Sequence, residues 1–530
     1  MRLRRALIPL QPRSYNLTCM KRLFLIPFAV TAVWANYLRT GGGAMVDEGT
    51  SLKRTSDGGY IITGYTYSYG AGSGDILLIK TNASGQLQWA KTIGGPSADY
   101  GTSVIQTSDG GFALAGITYS YGAGNYDLIL VKTDASGNLL WAKAVGGTDY
   151  DQAHTVIQTP DGGLLVAGET RSYASGFSDF ILVKFSGDGT FQWAKAIGST
   201  SVDEAFWMAP CSDGGYILGG RTGTSGSGFL LVKFLSNDNL GWASVVAGGY
   251  YYSFLKAADI IQTSDGGYAL TATSWSYGAG TDDIILAKLT SAGALEWARA
   301  AGTTINDLGF GLVQTPDSGY VVGGETEEYN TGPCEMVVLK YDKHGNFLWA
   351  QQFDRDGTDD LFSDLALASD GDIVALGTYG NDLALAEFNP GGANCRAIQW
   401  SPIITAITPS VTACTPGITS ISPTVTDIAP TVSPASIPWT TICEELGTEE
   451  SAGGGSGLSI RGHAVFFALA QESKVRLSVY DPAGRLILTP LDGLAKAGEH
   501  SVSLDGLRNG IYMVELIVDG KRLVGRAIIR

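Results

Sequence analysis

The sequence predicts an all-β fold: a seven-bladed β-propeller with a 52-residue repeat, followed by a C-terminal β-sandwich. The first observation is a (Ser/Pro)-Asp-Gly-Gly tetrad whose aspartate recurs after 52 residues five times and then after 53. The second is a tryptophan that recurs seven times at a similar spacing. The third is that no part of the repeat shows the 3.6-residue periodicity of a helix. The tetrad aspartates, of which the last two stand in degenerate copies, are Asp57, Asp109, Asp161, Asp213, Asp265, Asp317 and Asp370.

One repeat contains the sequence pattern of four short strands. In the second copy the strands are expected at residues 104–107, 112–116, 127–132 and 138–145. Residues 108–111 and 134–137 form Asp/Gly turns, and a Tyr/Gly loop joins the second strand to the third. Four short strands per repeat are typical of a propeller blade, which buries its sheet faces by stacking around an axis.

The recurring tryptophan falls in the fourth strand, and a large ring there can wedge between neighbouring blades. We therefore interpret the set as structural. Its members are Trp89, Trp141, Trp193, Trp242, Trp297, Trp349 and Trp400. The propeller is expected over residues 41–400. Trp34-Ala35 matches the Trp-Ala of each repeat. The sequence leaves open whether this pair belongs to the first blade or to an export signal.

The N-terminal residues have the pattern of an export signal. Met20-Lys21-Arg22 precedes an apolar run over residues 23–35, with small residues at a cleavage position after Ala35. We expect residues 1–35 to be a signal peptide, with translation starting at Met20. No later segment reaches transmembrane length, so a transmembrane anchor is not expected. The predicted location is extracellular or on the cell surface, after passage through the periplasm.

Composition restricts the range of partners. The formal charge is −16 and the pI is about 4.7, which disfavours nucleic acid because phosphate binding needs clustered Lys and Arg. We expect a monomer. The six cysteines show no zinc-type spacing. Cys395, Cys414 and Cys443 lie in or beside a Pro/Thr-rich segment, and the sequence leaves a disulfide and free thiols equally open.

Residues 401–456 are rich in Pro, Thr and Ser and are predicted to form a linker. Five prolines from Pro402 to Pro430 are spaced by seven, and each is followed two residues later by Ile or Val. Because proline favours an extended backbone, we predict a semi-rigid stalk. The regular Ile/Val register leaves a packed β-repeat as the alternative.

Residues 457–530 alternate again, with hairpin turns at Asp481-Pro482-Ala483-Gly484 and Asp519-Gly520. The pattern Val479-Tyr480-Asp481-x-x-Gly484-Arg485 with Gly510-Ile511-Tyr512 resembles the C-terminal sorting domain of the type IX secretion system, an immunoglobulin-like sandwich. The Pro-Asn-Pro opening of that family is missing, and the flagellar-hook-cap immunoglobulin-like domain shares much of the pattern. The resemblance implies a Gram-negative host, the type IX machinery as partner, and Gly484, Arg485, Gly510 and Tyr512 as sorting residues.

The repeat itself, Trp-Ala-Lys-x-(Ile/Val)-Gly-Gly followed by Gln-Thr-(Ser/Pro)-Asp-Gly-Gly, resembles a repeat common in secreted bacterial and archaeal propeller proteins, mostly of unknown function. The resemblance covers residues 41–400 and implies a fold rather than an activity.

Two repeated features are candidate functional sites. An aspartate recurs with the repeat and would give an acidic ring at the pore mouth, able to hold a polar ligand or a cation such as Ca²⁺; a strand-entry cap in each blade is the alternative. The ring would contain Asp47, Asp99, Asp151, Asp203, Asp307 and Asp359. Aromatic residues recur in the loop between strands two and three, where they would form either a ligand-facing surface or packing between blades. They are Tyr67, Tyr69, Tyr119, Tyr121, Tyr173, Trp275 and Tyr277.

No catalytic residue or cofactor motif is visible in the sequence. We therefore expect a secreted, non-enzymatic binding or scaffolding propeller with a glycan or protein ligand. The alternatives are a propeller hydrolase or lyase acting on extracellular polysaccharide, and a structural surface-layer component. An enzyme should break the symmetry, with one or two blades carrying polar residues that the others lack. The ligand cannot be inferred from the fold.

Overall fold

The computed structural model describes residues 35–223, 228–247, 259–327, 334–353 and 359–392, and shorter pieces beyond them. Those pieces are 398–399, 403–407, 411–413, 417–421, 424–428, 431–435, 437–444, 458–461, 464–469, 471–480, 486–504, 507, 510–518 and 521–529. The predicted signal peptide, except Ala35, lies outside them. Every regular element among the described residues is a strand.

The repeated units form seven antiparallel sheets. The first strand among the described residues is β1 (Ala35–Gly41). Sheets 1 to 3 are built from β2 (Asp47–Arg54), β3 (Tyr60–Thr66), β4 (Asp75–Thr81) and β5 (Leu87–Gly94); β6 (Asp99–Gln106), β7 (Phe112–Thr118), β8 (Asp127–Thr133) and β9 (Leu139–Gly146); and β10 (Asp151–Gln158), β11 (Leu164–Thr170), β12 (Asp179–Phe185) and β13 (Phe191–Gly198).

Sheets 4 to 6 continue the same order, and sheet 7 has three strands of its own repeat. They contain β14 (Asp203–Pro210), β15 (Tyr216–Thr222), β16 (Gly228–Phe234) and β17 (Leu240–Ala247); β18 (Ile260–Gln262), β19 (Tyr268–Ser274), β20 (Asp283–Leu289) and β21 (Leu295–Gly302); β22 (Asp307–Gln314), β23 (Tyr320–Glu327), β24 (Cys334–Tyr341) and β25 (Phe347–Gln352); and β26 (Phe362–Leu367), β27 (Ile373–Tyr379) and β28 (Asp382–Phe388).

Each tetrad forms the turn between the first and second strands of its sheet. In sheet 2, Asp109 Oδ1 accepts hydrogen bonds from the Thr107 hydroxyl at 2.6 Å and from the Gly111 amide at 2.9 Å. The ammonium of Lys132, a buried residue of β8, pairs with Asp109 at 2.9 Å. Gly110 has a φ of +84°, which glycine adopts without strain. In sheets 1 to 6 the tetrad therefore fixes the turn and neutralises a buried lysine.

The sheets are arranged as in a β-propeller. The first strands of consecutive sheets lie side by side, and β2 of sheet 1 also contacts β26 of sheet 7. Buried side chains of neighbouring sheets pack together, as in the cluster that combines Ile62 of sheet 1 with Leu376 of sheet 7. The core is thus a series of layers between successive sheets.

The N-terminal strand completes sheet 7. β1 pairs antiparallel with β28, and Leu38 lies opposite Ala386. Tyr37, which stands 52 residues before Trp89, occupies the tryptophan position of this sheet and is 3% exposed. Sheet 7 therefore includes residues before 41, where the propeller was expected to start, and Trp400 lies outside the described residues. A strand from the chain terminus pairs with the otherwise open edge of β28 and so ties the two ends of the ring together.

The recurring tryptophans from Trp89 to Trp349 lie between neighbouring sheets. Each half-buried tryptophan packs on a core cluster that includes the following sheet, and most contact a turn glycine there. The ring–glycine pairs are Tyr37–Gly85, Trp89–Gly137, Trp141–Gly189, Trp242–Gly293, Trp297–Gly345 and Trp349–Gly392. The turn of sheet 4 has Asp238 at this position, with φ +62°.

The predicted stalk is instead a series of fifth strands, so the stalk prediction is wrong and the packed β-repeat is observed. Short strands from residues 398–444 pair antiparallel with the fourth strand of each sheet, in reverse sheet order from sheet 6 to sheet 1 and then with β1 of sheet 7. They are β29 (Ile398–Gln399), β30 (Ile403–Ile407), β31 (Val411–Ala413), β32 (Gly417–Ile421), β33 (Thr424–Ile428), β34 (Thr431–Pro434) and β35 (Trp439–Glu444). We call residues 398–444 the belt. Its seven-residue period advances the chain by one sheet per step, and its backbone covers outer edges that would otherwise be unpaired.

The C-terminal residues form two further sheets that share one hydrophobic core, which includes Val465, Leu477 and Leu516. The strands are β36 (Leu458–Arg461), β37 (Ala464–Leu469), β38 (Ser473–Tyr480), β39 (Leu486–Ala495), β40 (Gly498–Ser503), β41 (Gly510–Val518) and β42 (Lys521–Ile529). Gly510 and Tyr512 lie in β41, whereas Gly484 and Arg485 lie outside the described residues, as do Cys395 and Cys414.

Candidate ligand-binding cavity

The recurring aspartates lie at the start of the first strands and are buried. Asp151 is typical: its Oδ2 accepts hydrogen bonds from the Gly147 amide at 2.8 Å and the Ser172 hydroxyl at 2.6 Å, and its Oδ1 accepts one from the Thr170 hydroxyl. Burial raises the pKa of this carboxyl. Because the oxygens face hydroxyls and amides of their own repeat, the contacts favour the strand-entry cap over an acidic ring that binds a cation.

Sheet 7 departs from this series by one residue. Asp359 is exposed and accepts a hydrogen bond from the Cys334 amide at 2.9 Å, whereas its neighbour Asp360 is fully buried. The amide of Asp360 donates to the Cys334 carbonyl, as the amide of Asp99 does to the Gly74 carbonyl. Asp360 is therefore the equivalent residue. Within the described part of the chain, no group of three His, Cys, Asp or Glu side chains is placed to hold a metal ion.

A second buried carboxyl, which sequence analysis missed, lies next to the strand-entry aspartate of the following sheet. A β-carbon added to Gly146 would lie 1.7 Å from Asp127 Oδ1 and 2.8 Å from Asp151 Oδ2, so only glycine fits between them. Burial, with a contribution from the charge of Asp151, raises the pKa of Asp127. The glycine that ends the fourth strand in sheets 1, 2, 3 and 5 thus makes room for two carboxyls at the joint between sheets.

The aromatic loop residues divide into two groups, one structural and one facing solvent. The second ring of each pair is tied to the fold: the hydroxyls of Tyr69 and Tyr173 donate to the carbonyls of Gly42 and Gly146 at 3.1 and 2.9 Å. Tyr121 does the same with Gly94, and Tyr277 packs on a core cluster. The first rings, Tyr67, Tyr119 and Trp275, are 40, 47 and 62% exposed.

Tyr67 and Tyr119 line a cavity of about 390 Å³ at the end of the propeller where the first strands begin. Tyr65, Tyr100 and Tyr126, which sequence analysis did not single out, line it as well. Successive rings meet edge-on or tilted, with centroid distances from 4.6 to 6.4 Å. The other walls contain Phe206, Trp207 and Phe310. A concave site of this size with mostly apolar walls and a few polar groups is typical of small-ligand binding.

Polar groups are concentrated on the side of the cavity formed by sheets 3 and 4. Glu169 of β11 stands where sheets 1 and 2 have Tyr65 and Ile117. The exposed Arg171 replaces the rings of Tyr67 and Tyr119. Next to Glu169, Glu204 of β14 pairs with Arg221 of β15 at 2.5 Å. These residues break the symmetry of the repeat.

The two glutamates influence one another. Burial, together with the neighbouring carboxyl of Glu204, raises the pKa of Glu169 to about 8, so this group is protonated at neutral pH. Burial lowers the pKa of His154, on the first strand of sheet 3, to about 4. Its Nε2 is buried and has no hydrogen-bond partner among the described residues. The cavity thus offers neutral donors and acceptors beside aromatic walls.

These polar residues could not be predicted from the repeat pattern, because none of them recurs in every repeat. The signal that could have found them is a departure from the repeat: Glu169, Arg171 and His154 differ from the residues at the equivalent positions of sheets 1 and 2. Their clustering on adjacent repeats, His154 and Glu169 in sheet 3 and Glu204 in sheet 4, becomes visible when the 52-residue units are aligned.

Comparison with known proteins agrees with the fold. The model of a family described as a domain of unknown function (DUF5122) beta-propeller matches residues 159–191. The regulatory protein FlaEY of Caulobacter vibrioides is 29% identical over 136 residues, which are 23% of this chain and 14% of FlaEY. The chain therefore spans only a small part of this curated relative. It is a β-propeller-like repeat protein.

Solved structures resemble it at low identity. An ulvan lyase of a polysaccharide lyase family, bound to -[GlcA(1-4)Rha3S]-, is 9% identical with a TM-score of 0.43, covering 70% of this chain and 97% of the lyase. Sqt1 from Chaetomium thermophilum is 12% identical with a TM-score of 0.38, covering 68% of this chain and all of Sqt1. A protein of unknown function from Bacteroides caccae is 12% identical with a TM-score of 0.31, covering 60% and 94%. Separately, the described residues contain no helix long and apolar enough to cross a membrane.

Proposed function

We propose that this chain is a seven-bladed propeller that binds a glycan, without catalysis, in the tyrosine-lined cavity. The observation that carries the proposal is the cavity itself, a concavity of about 390 Å³ lined by half-exposed rings and by Gln152, Glu169 and Arg171. Aromatic faces stack on the apolar faces of sugar rings, and the polar groups can pair with hydroxyls.

A glycan suits the site better than a folded protein partner. Stable protein interfaces bury about 800 Å² on each side and centre on a large contact patch. Here two of the exposed first rings, Tyr67 and Tyr119, lie around a pocket. The fourth sheet has Gly223 at the equivalent position. A small pocket with aromatic rings on one side suits a short segment of an extended polymer.

The proposal is tested by screening the purified protein on a glycan array and measuring hits by calorimetry. Tyr119→Ala should weaken binding by at least about tenfold, because a stacked ring is lost. Phe177→Ala is the matched control, since Phe177 is 74% exposed on a loop of sheet 3 and does not line the cavity. Equal loss in both variants, or binding that neither variant alters, would reject the cavity as the site.

A second candidate function is cleavage of an extracellular polysaccharide. The asymmetry expected of an enzyme is present on sheets 3 and 4, and a carboxyl with a raised pKa in a cavity is a candidate general acid. However, Glu169 and Glu204 contact each other directly, whereas the carboxyls of glycosidases flank the bond at about 5–9.5 Å. Release of reducing ends or of unsaturated products from any array hit would favour this candidate.

We further propose export to the cell surface through the C-terminal sandwich, with the type IX secretion machinery as partner. The support is the sequence resemblance around Gly510 and Tyr512 and the separate core of residues 458–529. We expect a monomer outside the cell. Removal of residues 457–530 in the native host should leave the protein in the periplasm, and normal surface display of the truncated protein would refute the sorting role.

A further inference from the structure

The charges around the cavity indicate which class of glycan it takes. Arg171 is exposed at the cavity wall, and its guanidinium lies 5.2 Å from the centroid of the Tyr150 ring. Among the described residues, no carboxylate lies within ion-pair distance of it. In a chain with a formal charge of −16, a cation without a carboxylate partner at the wall of a cavity is a candidate anion site.

The carboxyls in and beside the cavity have hydrogen-bond or ion-pair partners of their own. Glu204 is paired with Arg221 at 2.5 Å, and the buried Glu169 shares a hydrogen bond with Glu204. On the opposite wall, Glu48 accepts a hydrogen bond from the Tyr65 hydroxyl at 2.5 Å. With His154 neutral, Arg171 is the only cation in the described lining that no carboxylate neutralises.

We propose that the cavity selects an acidic sugar, in which a carboxylate or sulfate binds Arg171 while the sugar ring stacks on Tyr119. This inference rests on the glycan-binding function proposed above and deepens it. Guanidinium binds carboxylate and sulfate oxygens through parallel, charge-assisted hydrogen bonds. The guanidinium lies over the Tyr150 ring, and this cation–π contact helps to hold it at the cavity wall.

A consequence is that binding weakens in alkaline solution. Glu169 lies two residues from Arg171 and interacts with Glu204 and Arg221 of the following sheet and with Tyr126 of the preceding one. When Glu169 loses its proton, a negative charge appears beside the bound anion and repels it. Glu169→Gln keeps the shape of the side chain and removes this charge.

The test uses calorimetry on the full chain with three trisaccharides: trigalacturonate, a sulfated galactotriose and neutral galactotriose, at pH 6.5 and pH 9. The acidic probes should bind at least about tenfold more tightly than the neutral one at pH 6.5. Arg171→Gln should remove this preference, Arg171→Lys should restore part of it, and Arg54→Gln, an exposed arginine at the far end of β2, should change nothing. Glu169→Gln should bind equally at both pH values. The two acidic probes show whether carboxylate or sulfate fits better.

The outcomes separate the two proposals. Equal binding of neutral and acidic probes, or an acidic preference that survives Arg171→Gln, overturns the inference and leaves glycan binding intact. Absence of binding by every glycan, on the array and in solution, overturns both. Melting temperatures of the variants, measured alongside, distinguish loss of the site from loss of the fold.

Discussion

The contact between Trp141 and Gly189 gives a quantitative test of how neighbouring sheets pack. Trp141 of sheet 2 is half-buried, and a β-carbon added to Gly189 in sheet 3 would lie 2.8 Å from its ring. Gly189 also has a φ of +83°. Gly189→Ala should therefore destabilise the fold for two reasons, backbone strain and a clash with the ring.

The magnitudes follow from the geometry. A fully buried tryptophan removes about 150–250 Å² from water, so a half-buried one contributes about 100 Å². At about 25 cal/mol per Å², Trp141→Ala should cost about 2–3 kcal/mol. A fully buried ring would cost about 3–5 kcal/mol. Gly189→Ala should cost about 1–2 kcal/mol for strain and about 1–2 kcal/mol more for the clash.

The assay is urea unfolding of the two single variants and the double variant. In the Trp141→Ala background, Gly189→Ala should lose the clash and cost only about 1–2 kcal/mol, so the double variant is less destabilised than the sum. Gly162→Ala is the matched control, because Gly162 has a φ of +81° with no atom within 4 Å of the added carbon. Additive effects at Gly189, or coupling at Gly162, would refute the packing described.

Three further predictions concern stability. Burial raises the folded-state pKa of Asp307 to about 6 and that of Glu169 to about 8, so the stability that these protonated groups contribute is complete below about pH 4 and is lost as the pH rises through these values. The free energy of unfolding in urea should therefore fall by a few kcal/mol from pH 5 to pH 9, and a rise would contradict the prediction. Tyr37→Ala should cost about 3–5 kcal/mol, since the ring closes sheet 7, and a cost below about 1 kcal/mol in the same measurement would exclude that role. In calorimetric scans, a chain that ends at residue 456 should melt at the wild-type temperature of the propeller, whereas a chain that ends at residue 397 and lacks the belt should melt more than about 10 °C lower. Equal melting temperatures would show that the belt adds no stability.

The repeat could be predicted because the pair of tetrad aspartate and buried lysine recurs in sheets 1 to 6. The tetrad turn needs its aspartate, its glycine and the lysine that pairs with it, and all lie within about 25 residues, as Asp109 and Lys132 do. Strand number and turn positions in each repeat follow from such short-range patterns. The pairing of Ala35–Gly41 with β28 does not, because it joins residues more than 300 positions apart.

The prediction that residues 401–456 form a stalk was wrong for a similar reason. Prolines every seven residues are compatible with an isolated extended stalk and with strands laid against an edge, and the choice depends on edges supplied elsewhere in the chain. Val425 lies opposite Val145, and Val432 opposite Ile93. Nothing local to residues 401–456 specifies these partners.

The candidate site was only half predictable. Exposed aromatic loops were visible as a pattern, and the structure shows which rings face outward and which donate hydrogen bonds to the fold. Glu169 and Arg171 could not be recognised as site residues from the sequence, because their neighbours in the cavity come from different repeats.

The central claim, that the tyrosine-lined cavity is the ligand site, is tested most directly by a crystal structure of the protein with an oligosaccharide that binds it. We predict a sugar ring against Tyr119 within the cavity and its acidic group at the guanidinium of Arg171. A bound oligosaccharide located elsewhere, for example along the tetrad turns, with the cavity empty, would contradict the account.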